Sequence, residues 1–171
     1  MQIGFTCSTL DLFHAGHITM LKEAKDNCDY LIVGIQSDPT IDRPTKNRPV
    51  QSLYERWVQL EACVYVDKII PYATEKELMD ILQSQDIDVR FVGEEYRDID
   101  FTGKELGITI HYNKRRHSFS STELRKRVFD VEYVRQTKAY KVIDKSHDIQ
   151  YTKDFDNEFE EHAWQKPKQK Q

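Results

Sequence analysis

Leu12-Phe13-His14-Ala15-Gly16-His17 follows a short apolar segment, Ile3-Gly4-Phe5-Thr6-Cys7, and a helical pattern starts at Ile18. Two imidazoles thus flank a small residue and a glycine at a strand-to-helix junction. Imidazole N–H groups and the unpaired backbone N–H groups of a helix start both favour anions. Gly16 lets the backbone come close to phosphates. Positive charge of this kind is what an α-phosphate needs as charge builds on its equatorial oxygens. Two plainer readings stand beside this one. The histidines are ordinary turn residues, or they are a metal pair, although no Cys or acidic partner sits at ligand spacing nearby.

Outward from that turn, β-type runs alternate with helical runs. Near-continuous apolar runs predict strands over residues 2–7, 30–35, 68–71, 89–93 and 109–112. Helices are predicted over 16–26, 53–64 and 75–83, with a shorter one near 102–106. Ser52-Leu-Tyr-Glu55 and Thr74-Glu-Lys-Glu77 both read as capping boxes. Leu53, Trp57, Leu60 and Val64 then fall on one helical face, as do Leu78, Ile81 and Leu82 in the next helix. A last helix is expected from Ser120 or Ser121 to about Asp130. Strands alternating with helices imply right-handed crossovers. The expected fold is α/β, a Rossmann-like, doubly wound parallel sheet of five strands with a C-terminal extension. Ligands bind such sheets at the carboxyl ends of the strands, which is where His14 and His17 fall.

A nucleotide-binding domain is expected over 1–130. The remainder, 131–171, has no glycine, one proline, eight acidic and eight basic residues, and scattered aromatics. It is expected to be an extension, partly helical or frayed. The formal net charge of -4 gives no broad field for nucleic acid or an anionic membrane. No apolar run nears the ~20 residues of a membrane span, and no basic region followed by an apolar core marks a secretory signal. Three cysteines, Cys7, Cys28 and Cys63, fit neither a disulfide framework nor a zinc site. A cytoplasmic protein with reduced thiols is expected.

A second motif follows the fifth strand: Lys114-Arg115-Arg116-His117-Ser118-Phe119-Ser120-Ser121-Thr122-Glu123-Leu124-Arg125. Arg115 could fork onto a phosphate. The hydroxyls and free N–H groups from Ser118 to Thr122 could cradle phosphate oxygens. Ser120-Ser-Thr-Glu123 is also a capping box, which does not exclude anion binding. A third element, Arg43-Pro-Thr-Lys46-Asn-Arg48-Pro49, follows the second strand. Its lysine could close over a triphosphate, with Arg43 and Arg48 towards a second substrate. Its plainer reading is a polar surface loop.

Together these elements resemble the HxGH nucleotidyltransferase superfamily, and within it the small cytidylyltransferases. Its signatures stand here as His14-Ala-Gly-His17 and Arg115-Arg-His-Ser-Phe-Ser-Ser-Thr122. Tyr54-Glu55-Arg56 with Val66-Asp67-Lys68-Ile69 resembles the family's "ER…VD.V" segment, and Val92-Gly93-Glu94-Glu95-Tyr96 its fourth-strand "GDD" end. The resemblance is strongest to glycerol-3-phosphate cytidylyltransferases, followed by the nucleotidyl domain of heptose-phosphate enzymes.

The resemblance implies transfer of CMP from CTP to a phosphorylated small alcohol or sugar, releasing pyrophosphate, with Mg²⁺ as cofactor and a homodimer as assembly. It is the kind of step that feeds surface-polysaccharide synthesis. It gives His14, His17, Lys46 and Arg115 to the triphosphate and the transition state. Thr9, Leu10, Asp11, Gly16, Gly93 and the segment Ser118, Phe119, Ser120, Ser121 and Thr122 go to nucleotide binding, and Glu94 and Glu95 to the acceptor. Asp11 either orients the turn or helps hold magnesium. There are departures from the pattern: Ser8 stands for a glycine, Leu10 for a phenylalanine, and Glu94-Glu95 for an Asp pair. Phosphate-binding motifs cannot choose the base, so adenylyl transfer from ATP is a competing expectation, and a non-catalytic nucleotide sensor another.

Overall fold

Five strands form, β1 (Ile3–Ser8), β2 (Tyr30–Gln36), β3 (Lys68–Tyr72), β4 (Val89–Gly93) and β5 (Thr109–Asn113). Between and after them lie α1 (Ala15–Asp26), α2 (Leu53–Glu61), α3 (Glu75–Ser84) and α4 (Ser121–Thr137), with 3₁₀ turns at Glu94–Tyr96 and Lys104–Leu106. The computed structural model describes residues 1–114 and 117–137. The chain divides into two units, Met1–Arg127 and Val128–Gln171. Beyond residue 137 the expected extension lies outside the described residues.

All strand pairs are parallel, in the order β3-β2-β1-β4-β5. The Rossmann-like doubly wound sheet is therefore observed. Period-two alternation splits the core between the two faces. Leu31, Val33, Ile35, Val89 and Phe91 pack with Leu21 and Ala24 of α1 and Leu60 of α2. Phe5, Ile32 and Tyr72 pack on the other face with Leu78 and Leu82 of α3. Each fully buried aliphatic side chain contributes about 1.5–3 kcal/mol. Strand order reverses between β1 and β4, and a crevice opens there at the carboxyl ends.

Local differences from expectation have physical reasons. Helix α2 ends at Glu61: the N–H of Ala62 still bonds the Val58 carbonyl, but that of Cys63 tightens onto Leu60, and a turn from Cys63 to Val66 follows. Val64, expected on the apolar face, is 85% exposed. The turn places Asp67, whose carboxylate accepts the N–H of Leu31 and pairs with Lys25. The box at α2 is complete, but at α3 only Thr74 caps Glu77; the Glu77 carboxylate reaches the N–H of Ala73 instead. Helix α4 runs to Thr137, past the expected Asp130. No helix among the described residues is long and apolar enough to cross a membrane.

Candidate functional site

A cleft of about 390 Å³ opens at the strand ends, walled by Ser8 of β1 and Thr9 after it, Gln36 of β2, Tyr72 of β3 and Val92 and Gly93 of β4. The histidine turn stands at its edge. His14 is the N-cap of α1: its Nδ1 accepts the N–H of Gly16 at 3.0 Å, while Nδ1 of His17 accepts the N–H of His14 at 3.4 Å. The two imidazoles thus do for α1 what Ser52 and Glu55 do for α2. They stack with centroids 3.9 Å apart, and Phe13 stacks on His17 at 5.7 Å.

Since Nδ1 of His17 accepts, its proton belongs on Nε2. Burial, with the neighbouring His14 and His117, pushes the His17 imidazole from 6.5 down to about 3, against the opposing pull of Asp11. His17 is therefore a neutral N–H donor on the cleft wall near pH 7. Helix α1 carries no acidic residue in its first turn, unlike α2 and α3. Its positive end is uncompensated by side chains of the helix itself.

Gly16 makes room for two rings. A Cβ there would come within 2.9 Å of Cε1 of both His14 and His117. The room the glycine leaves is taken by imidazoles. His117 belongs to the second signature, so the two motifs meet at this point. Its Nε2 lies 2.9 Å from the Thr19 hydroxyl, and its ring stacks on Phe119 at 5.1 Å. Ser121 closes the junction, its hydroxyl donating to the carbonyl of Asp11 at 2.8 Å.

Asp11 is 5% exposed and fully engaged. Oδ1 accepts the N–H of Val50 at 3.0 Å and of Gln51 at 2.9 Å, and Oδ2 pairs with Arg125. Burial alone would raise this carboxyl, but the two backbone N–H groups and the guanidinium outweigh it and hold it below the usual range. Of the two expected roles, the geometry supports orientation of the turn. Leu10 and Leu12 on either side have φ of 53° and 52°, the left-handed region that side chains disfavour. Among the described residues no group of three His, Cys, Asp or Glu side chains could hold a metal ion.

Arg56 anchors the same turn from beneath. It is 1% exposed. Nη1 donates to the carbonyls of Thr9 (2.7 Å) and Gln36 (2.6 Å), Nη2 to Ser37 (2.7 Å), and Nε to Gln51 and Ser52. The strand-end loops after β1 and β2 and the start of α2 are thus tied to one guanidinium.

Of the expected site residues, Thr9, Leu10, Asp11, His17, Arg43, Lys46, Gly93, Glu95 and Ser121 line the cleft. His14, Gly16, Ser118, Phe119, Ser120 and Thr122 do not. Ser120 caps α4 through the N–H of Glu123. Arg48 turns away to Asp38 at 3.5 Å, and Glu94 pairs with Arg97 at 3.7 Å outside the cleft. Both are local charge pairs that involve exposed side chains. Arg115 lies outside the described residues. His117 and Arg90 were not expected at the site. His117 had a signal, its place inside the basic–hydroxyl run; Arg90 looked like any strand residue.

Residues 5–127 match the family described as cytidylyltransferase-like. The chain is 35% identical over 125 residues to a protein of Encephalitozoon cuniculi named probable ethanolamine-phosphate cytidylyltransferase, covering 71% of this chain and 38% of that one. It is 36% identical over 105 residues to ethanolamine-phosphate cytidylyltransferase of Arabidopsis thaliana, covering 61% and 25%. It is 34% identical over 108 residues to bifunctional protein HldE of Paramagnetospirillum magneticum, covering 61% and 22%. The chain thus spans less than two fifths of the length of these relatives.

Proposed function

Because this chain belongs to the cytidylyltransferase-like family, we propose that it transfers CMP from CTP to a small phosphorylated alcohol, with glycerol 3-phosphate the first acceptor to test. The observation that carries this is the meeting of the two phosphate-binding motifs, His117 on Thr19 and Ser121 on Asp11, beside one cleft that His17 and Lys46 also line.

An oxygen of the acceptor phosphate attacks the α-phosphorus in line. The new P–O bond forms as the bond to the α–β bridging oxygen breaks, and pyrophosphate leaves. A phosphate is already a competent nucleophile, so the protein positions and neutralises. Nε2–H of neutral His17 donates to the α-phosphate oxygens. Exposed Lys46 closes over the outer phosphates from the loop after β2. Magnesium enters as part of the nucleotide substrate, bound to the triphosphate. A homodimer belongs to the same proposal; Val50, Tyr54 and Val58, exposed at helical spacing on and before α2, offer a face for it.

The test is pyrophosphate release by the full chain, with CTP and with ATP, against glycerol 3-phosphate, phosphoethanolamine and a heptose phosphate. CTP-dependent release is expected, and His17→Ala should lower it about 10²-fold with the fold retained. Release with ATP and none with CTP would overturn cytidylyl transfer. Nucleotide binding without reaction of any acceptor would favour a sensor.

A further inference from the structure

On the α3 side of the sheet, the cleft wall holds a cation that phosphate binding as described leaves without a task. Arg90, in β4 beside Phe5 of β1, is 4% exposed yet lines the cleft. Its Nη1 donates to the carbonyl of Thr102, and its guanidinium lies 5.0 Å from the Phe101 ring centroid. Gly103, at φ 81°, makes room for it: a Cβ there would sit 2.9 Å from Nη1.

Among the described residues Arg90 forms no ion pair. Glu75, on the same wall, is committed to Arg43 at 3.3 Å and to the Thr102 hydroxyl at 2.5 Å. Cys7 and Tyr72, also on that wall, are pushed up by burial and stay protonated, so neither supplies a negative charge. A buried guanidinium is costly to keep without a counter-charge. It has five N–H donors; the Thr102 carbonyl takes one and the Cys7 side chain another.

We propose that Arg90 reads the end of the acceptor that does not react, donating to hydroxyl or carboxylate oxygens and repelling an ammonium. This presupposes the cytidylyl transfer proposed above. In that proposal His17 and Lys46 serve the nucleotide, which leaves the Arg90 wall to the acceptor's tail. The chain then prefers phosphorylated polyols or hydroxy acids to phosphoethanolamine.

The experiment compares kcat/KM for glycerol 3-phosphate and phosphoethanolamine at saturating CTP, in the full-length wild type, Arg90→Gln and Arg90→Lys. Wild type should favour glycerol 3-phosphate by about tenfold or more. Arg90→Gln should erase most of that ratio through KM for glycerol 3-phosphate, leaving KM for CTP unchanged, while Arg90→Lys keeps the rejection of the ammonium. Wild-type preference for phosphoethanolamine would overturn the inference, even if Arg90→Gln fails to fold. So would an unchanged ratio in Arg90→Gln, or an effect falling on KM for CTP. Calorimetric titration of both phosphates into the chain with a non-hydrolysable CTP analogue reads the same preference without turnover. Absence of pyrophosphate release with every acceptor would instead strike at cytidylyl transfer.

Discussion

Arg56→Lys is the sharpest test of how the cleft is held together. The guanidinium makes three short bonds, to Thr9, Gln36 and Ser37, and two longer ones to Gln51 and Ser52. Lysine keeps the charge but concentrates its donors at one point, so it can serve one strand-end loop and leaves the other unpaired. A hydrogen bond to a charged group contributes about 1.5–3 kcal/mol, and a buried acceptor stripped of its partner costs about 1–3 kcal/mol. Loss of at least one short charged bond, and of the reach to α2, gives a destabilisation of about 3 kcal/mol. That is a large share of the ~5–15 kcal/mol of an ordinary domain. Arg56→Met, which strands all three short-bonded carbonyls, should cost more and leave little folded protein. In urea, with a slope of ~1.5–2 kcal/mol per M, Arg56→Lys should lower the midpoint by about 1.5–2 M. Breaking the exposed Lys76–Asp80 pair with Lys76→Ala is the control, expected to cost under about 0.5 kcal/mol. A shift for Arg56→Lys no larger than that control would refute the idea that Arg56 anchors the loops.

Three further outcomes follow from the site. The unfolded His17 imidazole takes up its proton near 6.5 and the folded one only near 3. Between those values the unfolded state binds more protons, so stability falls as pH falls, by up to about 1.4 kcal/mol per pH unit. Urea midpoints at pH 7, 6 and 5 should show this slope in wild type and a flatter one in His17→Gln; equal slopes would count against the buried neutral imidazole. Gly16→Ala pushes a methyl against His14 and His117; a thermal melt should show a loss of about 1–3 kcal/mol, and no loss would mean the rings yield freely. Asp11→Asn puts a donor opposite Arg125 and removes its counter-charge; a loss of about 3 kcal/mol is expected at pH 7. Because the folded Asp11 carboxyl lies below its usual 3.8, the advantage of wild type over the variant is present above about 3.8 and is lost as pH falls through the lower folded value.

The sheet was legible because its signals are local. Apolar runs such as 30–35, and boxes such as Ser52–Glu55, specify strands and helix starts without help from the rest of the chain. Errors cluster where a tertiary contact decides. Val64 lies on the right helical face, but the chain turns before reaching it so that Asp67 can bridge Leu31 and Lys25. Glu77 was spaced for a box, yet the Ala73 N–H offers its carboxylate a bond at 2.6 Å. In the site, the spacing of His14 and His17 marked the strand-to-helix turn at the edge of the cleft. Arg90 could not be read from spacing, because its meaning depends on Thr102, Phe101 and Gly103 arriving from the following loop.

The turn at residues 8–12 shows why so much of the site's polar equipment faces inward. Leu10 and Leu12 occupy left-handed backbone, at roughly 1–2 kcal/mol each. A glycine would adopt it freely, but would also let the turn relax when no ligand is present. Leucine persists there because Leu10 is fully buried in the α1–α2 core, a gain of about 1.5–3 kcal/mol. Asp11 fastens the middle of the turn to Val50, Gln51 and Arg125, Arg56 fastens Thr9, and Ser121 fastens the Asp11 carbonyl. These bonds join the loop to the segment before α2, to α2 itself and to α4. The turn is consequently rigid before any triphosphate arrives, and the order that phosphate contacts would otherwise have to impose is already present. The Asp11 carboxylate, buried Arg56 and half-buried Arg125 thus support the turn and, on the function proposed above, the His17 and Lys46 side chains that would meet the anion.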